Sequence, residues 1–279
     1  MSQNHVFDSE LAKRHPINIL LVDDNTINLK VASRMLLRMG YEVDQAVNGL
    51  EAVKAQTQNG YDLIFMDIQM PEMDGVTATK TIIANFAPED RPRIVAVTAH
   101  AMKGDRERYL EAGMDGYISK PVRVERLIEA IQETPCKNPV SETEMVGMAE
   151  SGAAGGQAEV ASNSSAPAPV DISMFAEMLG MDNEDAEEML PELVELFLED
   201  SAEQLDSMVT AVNSQDFDLL RGAAHKMKGG SASVAAVPLS KVCGELEHMG
   251  ISQSLDGAQE QIDLAKAEFN RLKSWFESR

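Results

Sequence analysis

Two cysteines in 279 residues, Cys136 and Cys243, are too few for a disulfide framework, and no Cys or His spacing matches a zinc site. Apolar runs are short: none approaches the ~20 residues that a membrane span needs, although 44 % of the chain is hydrophobic, as in a soluble globular protein. The opening stretch, MSQNHVFDSELAKRHP, lacks the charged start and apolar core of a secretory signal. The expected compartment is therefore the cytoplasm, with no direct membrane insertion. Positive charge is scarce as well. The 24 Lys and Arg against 46 Asp and Glu leave a formal charge of -22, which argues against non-specific nucleic-acid binding, since that rests on neutralising phosphates. Acidic partners are disfavoured too, unless they meet a local basic patch. A P-loop and a glycine-rich ATP lid are both missing, so the chain is not expected to phosphorylate itself from ATP.

What is present divides by composition. The length suffices for two domains. Residues 1–16 form a connector, and from 17 to 133 short apolar runs alternate with helical patterns. Residues 134–170 hold small and polar residues with almost no large apolar ones, the composition of a flexible linker. From 171 to 279 the periodicity is purely helical, and no internal repeat links the two halves.

In the first half, NILLV (18–22), YEVDQA (41–46), DLIFM (62–66), RIVAVT (93–98) and GYIS (116–119) read as strands. Helical stretches at 26–39, 49–58, 75–86, 103–112 and 122–133 separate or follow them. Strict alternation implies a parallel sheet with helices on both faces. The second strand is the most polar and belongs at an edge, whereas nearly all-apolar strands belong in the middle. Ligands of such sheets bind beyond the carboxyl ends of the strands. The polar residues at those ends are Asp23 and Asp24, Asp67, Thr98 and Lys120. A single Asp after a strand is often just a helix cap, but five such residues arriving together describe a site. Carboxylates ~4 Å apart repel by roughly 4 kcal/mol per pair at an effective dielectric near 20. A hard divalent cation, with Lys120, relieves that repulsion.

The blocks ILLVDDN, FMDIQMPEMDG, VTAHAM and YISKPV resemble the signatures of a response-regulator receiver domain, from residue 17 to about 133. The resemblance implies a flavodoxin-like fold, a doubly wound parallel five-stranded sheet of order 2-1-3-4-5. It implies Asp67 as phosphoacceptor and Mg2+ (or Mn2+) held by Asp23, Asp24, Asp67 and the backbone carbonyl of Gln69. Thr98 and Lys120 would contact the phosphoryl oxygens, Tyr117 would be the aromatic switch partner of Thr98, and the Lys120–Pro121 bond would be cis. Haloacid-dehalogenase-type phosphatases also form phosphoaspartate, but place a second Asp two residues after the nucleophile. Here that position is Gln69, which cannot transfer a proton at neutral pH, so a persistent phosphoaspartate is expected over turnover.

In the second half, Leu239, Val242, Cys243, Leu246 and Met249 fall at helical spacing, as do Ile262, Ala265, Phe269, Leu272 and Phe276. Leu193, Leu196, Phe197, Leu205, Met208 and Val212 mark a long earlier helix that Pro191 should begin or kink. A fourth helix carries AAHKMKGGSAS (223–233), and a short one leads at 172–179, which makes an antiparallel bundle. On the fourth helix Leu220, Ala223 and Met227 form the core stripe, away from His225. Gly222 and Gly229, one turn either side, leave the imidazole clear. Residues 171–279 carry 22 acidic and 8 basic residues, yet Arg221, Lys226 and Lys228 lie within four positions of His225. This island should disfavour imidazolium and keep the ring neutral near pH 7.

AHKMKGGSAS resembles the H-x-x-K-G core of a histidine phosphotransfer (HPt) domain, an all-α four-helix bundle spanning roughly 171–279. The resemblance implies His225 as phosphoacceptor, Lys228 as phosphoryl partner and Gly229 as a clearance residue. His100 and His248 are structural or modulatory. The reading is a two-component phosphorelay chain. Asp67 accepts a phosphoryl group from a sensor histidine kinase, and His225 carries it to or from a receiver aspartate, ultimately that of a downstream receiver domain. Its opening also resembles the connector into the receiver of hybrid histidine kinases, which implies either the C-terminal portion of one or a free-standing relay descended from one. Whether to class it as an enzyme is left open. The rival readings are a Mg-dependent phosphatase forming phosphoaspartate and a phosphorylation-independent scaffold.

Overall fold

A computed structural model describes residues 8–99, 105–136 and 168–279. A short helix, α1 (Leu11–Arg14), leads into five strands: β1 (Ile19–Val22), β2 (Asp44–Ala46), β3 (Leu63–Asp67), β4 (Arg93–Thr98) and β5 (Gly116–Ser119). All pairings are parallel, in the order β2-β1-β3-β4-β5, with the polar β2 at the edge. β2 is shorter than its sequence pattern because pairing with β1 begins only at Asp44, opposite Leu20. The helices are α2 (Thr26–Arg38), α3 (Gly49–Asn59), α4 (Gly75–Asn85), α5 (Asp105–Glu111) and α6 (Val124–Gln132).

Alternation along the strands sorts the core into two layers. Ile19, Leu21, Leu63, Phe65, Val95 and Val97 pack with α2 and α6. Leu20, Val22, Ile64, Met66, Ile94 and Ala96 pack with residues of α3, α4 and α5, including Ala52, Ile82 and Tyr109. Burial on both faces is why these strands read as unbroken apolar runs. Side-chain caps set where three helices begin. Asn25 accepts from the amides of Ile27 and Asn28, Asn48 from Glu51, and Asp74 from Thr77.

The C-terminal part is helical: α7 (Ile172–Leu179), α8 (Asn183–Ser214), α9 (Phe217–Ser233), α10 (Val237–Ser252) and α11 (Ala258–Glu277). Phe175, Leu193, Phe197, Met208, Leu220, Met227, Leu239, Leu246, Ile262 and Leu272 fill its centre. Pro191 does not begin α8. The helix starts at Asn183, where the Asp182 side chain accepts from the Asp185 amide, and runs through the proline. Glu187, whose carbonyl loses its amide partner to Pro191, is exposed, so water can serve it. Most of the expected linker, 134–170, lies outside the described residues. At its ends the Thr134 hydroxyl donates to the Ala130 carbonyl, and Val170 is buried ahead of α7.

The two parts touch. α2 packs on α8 and α9, and the buried cluster on the α2/α6 side of the sheet continues into the bundle.

Candidate functional site

The sheet brings Asp23, Asp24, Asp67 and Lys120 to one edge. Lys120 Nζ stands 2.7 Å from Asp67 Oδ2 and 2.7 Å from Asp23 Oδ2. One carboxylate oxygen from each of Asp23, Asp24 and Asp67 lies within 4.8 Å of the others. Burial pushes the Asp67 carboxyl up to about 6, against the pull of the Lys120 ammonium and with the push of Asp23. Burial also raises Asp24, offset in part by Lys226. Burial alone would favour a neutral Lys120 amine, yet Asp23 and Asp67 hold its ammonium above the ordinary lysine range. The Lys120–Pro121 bond is cis.

Backbone geometry shapes the pocket. The Gln69 amide donates to Asp67 Oδ1 at 3.3 Å, and a Cβ on Gly75 would fall 2.0 Å from the Asp67 carbonyl oxygen, so only glycine lets α4 close on this strand end. Gln69 Oε1 is buried without a hydrogen-bond partner. Three carboxylates against one buried ammonium leave the pocket with surplus negative charge, a donor set that suits a hard cation such as Mg2+.

Thr98 closes β4, and its hydroxyl lies 3.1 Å from that of Tyr109 on α5. Tyr117 is 42 % exposed, and Tyr109 was not singled out in the sequence. His100 lies outside the described residues, and His248 is exposed on α10.

His225 sits in the middle of α9. Its Nδ1 lies 2.7 Å from Glu247 Oε1, while Lys228 Nζ lies 2.9 Å from Glu247 Oε2. Glu247 is 1 % exposed. Burial would raise its carboxyl, but the His225 ring and the Lys228 ammonium pull it down to about 2. An ionised carboxylate only accepts, so the ring nitrogen facing it, Nδ1, carries a proton. Sequence periodicity missed Glu247, although it stands one turn beyond Cys243 on the buried stripe of α10. An acid on an apolar stripe was the available signal.

The cationic island needs correcting. Lys228 is engaged by Glu247, and Lys226 reaches 3.2 Å from Asp24 Oδ2, across the boundary between the parts. The ring's immediate partner is a carboxylate rather than the basic residues. Nor does the imidazole stand clear, being 8 % exposed in this arrangement. The two glycines differ in their surroundings. A Cβ on Gly222 would meet nothing within 4 Å, while one on Gly229 would come 3.2 Å from Asn28 Nδ2 of the receiver part. Gly230, unremarked in the sequence, would press on Phe197 and on Asn25 Nδ2. The small residues after His225 admit the asparagines of α2's first turn.

Those asparagines make the central contacts. Asn25 Nδ2 donates to the Lys226 carbonyl at 2.9 Å, and the Ser233 hydroxyl donates to Asn28 Oδ1 at 2.7 Å. Around them lies a ring of opposite charges. Lys30 and Arg34 both pair with Glu192, Arg38 with Asp185 at 3.5 Å, and Arg123 with Glu177 at 3.0 Å, while Thr26 donates to Asp200. Between the parts a crevice of about 580 Å3 remains, lined among others by Asp24, Gln69, Arg108, Arg221 and His225. Among the described residues no helix is long and apolar enough to cross a membrane.

Comparisons with known proteins agree with this division. Residues 19–132 match the response regulator receiver domain family, and residues 192–275 match the Hpt domain family. The chain is 42 % identical over 117 residues to the polar-differentiation response regulator DivK of Brucella anthropi, a match covering 42 % of this chain and 94 % of that protein. It is 28 % identical over 281 residues to the aerobic respiration control sensor protein ArcB of Escherichia coli, covering 96 % of this chain and 33 % of ArcB. Hybrid signal transduction histidine kinase G of Dictyostelium discoideum is 41 % identical over 124 residues, covering 44 % of this chain and 4 % of that protein. The chain thus spans a third or less of these two sensor kinases. The receiver domain of sensor histidine kinase PA1611 from Pseudomonas aeruginosa, crystallised with magnesium in its active-site cleft, is 40 % identical. That match covers 42 % of this chain and 94 % of the other, with a TM-score of 0.39.

Proposed function

Because the chain belongs to the response regulator receiver family and also carries an Hpt domain, we propose that it is a cytoplasmic phosphorelay carrier with two sites. Asp67 accepts a phosphoryl group from the phosphohistidine of a sensor kinase, and His225 exchanges it with Asp67 and with a downstream receiver. The observation that carries this reading is the seating of α9 on the receiver. Asn25 holds the backbone at Lys226, Lys226 pairs with Asp24, and His225 lines one crevice with Asp24 and Gln69, which flank the acidic pocket.

The exchange needs no proton transfer. Nε2 of the neutral ring attacks the phosphorus of the Asp67 acyl phosphate. The Nε2–P bond forms as the Oδ–P bond breaks, and the electron pair returns to the Asp67 carboxylate. Lys120 stabilises that carboxylate. The positive charge appearing on the phosphorylated ring is met at Nδ1–H by ionised Glu247, which keeps its own charge throughout. The reverse reaction uses the same contacts, so the direction of flux follows the supply of phosphoryl donors. Asp23, Asp24 and Asp67, with the backbone carbonyl of Gln69, would hold a Mg2+ ion, which when bound supplies positive charge for the phosphoryl oxygens. Gln69 leaves the pocket without a second acid, which favours a persistent phosphoaspartate. The domain limits that fit this reading are 17–133 and 171–279.

The test is incubation with a labelled partner kinase and mapping of the label by its chemistry. Hydroxylamine releases acyl phosphate at Asp67, and acid releases phosphohistidine at His225. Label at neither residue would refute the reading.

A further inference from the structure

Asn28 touches both halves of the relay. Its Nδ2 donates to both oxygens of Asp23, at 3.0 and 3.2 Å, and its Oδ1 accepts from the Ser233 hydroxyl at 2.7 Å. Ser233 is the last residue of α9, and Asp23 is one of the three carboxylates of the acidic pocket. The orientation of the amide is forced, since a carboxylate only accepts and must face the NH2. The carbonyl oxygen then points to the hydroxyl donor. Two further donors complete the grip on Asp23: the Asn25 amide at 2.9 Å and Lys120 Nζ at 2.7 Å. Gly229 leaves room for this contact, because a Cβ there would crowd Asn28 Nδ2 at 3.2 Å.

We propose that the Ser233–Asn28–Asp23 chain couples cation binding in the acidic pocket to the seating of α9, each strengthening the other. The inference rests on the reading of that pocket as a Mg2+ site. A hydrogen bond into the amide oxygen polarises the amide, and it also fixes the rotamer that presents NH2 to Asp23. Partners of a liganding carboxylate hold its orientation, and losing one typically weakens metal binding 10–100-fold. Asn28 is such a partner, and Ser233 acts one bond further out. Linkage makes the effect reciprocal: whatever factor the seated helix adds to cation affinity, the cation adds to seating. Asn28 and Ser233 are therefore positioning residues, not catalytic ones. One contact works the other way. Lys226 near Asp24 repels a cation, so a seated helix brings one opposing charge along with the supporting bridge.

The experiment is Mg2+ titration of the full unphosphorylated chain by calorimetry, in a Lys226→Ala background that removes the opposing charge. Ser233→Ala is expected to weaken Mg2+ binding roughly three- to tenfold, the scale of one neutral hydrogen bond. Asn28→Ala is expected to weaken it roughly tenfold or more, and adding Ser233→Ala to Asn28→Ala should change nothing further. In small-angle scattering, Mg2+ should shift the parent chain toward its compact form and shift Asn28→Ala less. Mg2+ binding of equal strength in the parent and in Ser233→Ala, with equal compaction by Mg2+ in all variants, would overturn the coupling and leave the pocket's metal reading intact. No Mg2+ binding in any variant would overturn both.

Discussion

Asp67 and His225 are both almost inaccessible, at 1 % and 8 % exposure, but the two are held by different means. Asp67 closes a buried strand, with Lys120 and Asp23 beside it and Gly75 letting the next helix close over it. Its hydrogen-bond partners among the described residues, the Gln69 amide and Lys120, come from the receiver part. His225 has a single strong partner, Glu247 on the neighbouring helix, on a face that the receiver part packs against. The aspartate therefore has a pocket of its own, and in the proposed relay the histidine is a nucleophile delivered to that pocket. A carrier that must serve more than one receiver needs this asymmetry, because only the delivered group has to travel.

The sharpest way to break the comparison is to remove one nucleophile at a time. Asp67→Asn should abolish hydroxylamine-sensitive label, and His225→Gln should abolish acid-labile label, each by about a thousandfold or more, since each residue makes the covalent bond itself. Label mapping on the two variants checks this. Next in size is Glu247→Gln, which keeps an acceptor for Nδ1–H but removes the charge that meets the phosphorylated ring. Transfer from phospho-Asp67 should slow roughly 10–100-fold by single-turnover kinetics, with phosphorylation of Asp67 by a kinase unchanged. If both reactions slowed together, Glu247 would be supporting the fold and not the histidine.

Docking provides a smaller effect. Glu192 receives both Lys30 and Arg34, but all three are well exposed, and exposed pairs contribute little individually. Glu192→Lys should slow transfer within the chain by about tenfold at low salt, through two repulsions where there were two attractions. The loss should shrink at high salt, and Lys30→Glu with Arg34→Glu should restore the rate. The smallest effect is on stability against pH. The Glu247 carboxyl is held at about 2 against an ordinary value of 4.5. A folded-state value below the unfolded one stabilises at higher pH, so the contribution is complete above about pH 4.5 and fades as pH falls toward 2. Acid titration of thermal stability should show a shallower loss in Glu247→Gln than in the parent chain.

The ease of reading the two sites from sequence follows the same contrast. Asp23, Asp24, Asp67, Thr98 and Lys120 each end or follow a strand, and a parallel sheet gathers such residues automatically, so their one-dimensional positions contain the site. Glu247 is brought to His225 by the crossing of α9 and α10, which periodicity along either helix does not encode. Arg221, Lys226 and Lys228 looked like one basic island because adjacency in sequence says nothing of partners. In the structure Lys226 and Lys228 point to carboxylates in different domains. Tyr109 escaped for a similar reason, since it reaches Thr98 from a neighbouring helix and not from the strand beside it. Of the two roles expected of Pro191, the helix start fails because α8 already begins at Asn183 under the Asp182 cap, which apolar spacing does not encode.

The central claim is that Asp67 and His225 exchange a phosphoryl group within one chain, as the seating of α9 on its own receiver suggests. One covalent chain carries both parts, so each meets the other at an effective concentration above that of separate molecules at micromolar protein. The direct test mixes Asp67→Asn chains with His225→Gln chains at micromolar protein, so that transfer can occur only between molecules. The account predicts a rate far below that of the intact chain, rising in proportion to protein concentration. A rate equal to that of the intact chain, independent of concentration, would contradict it.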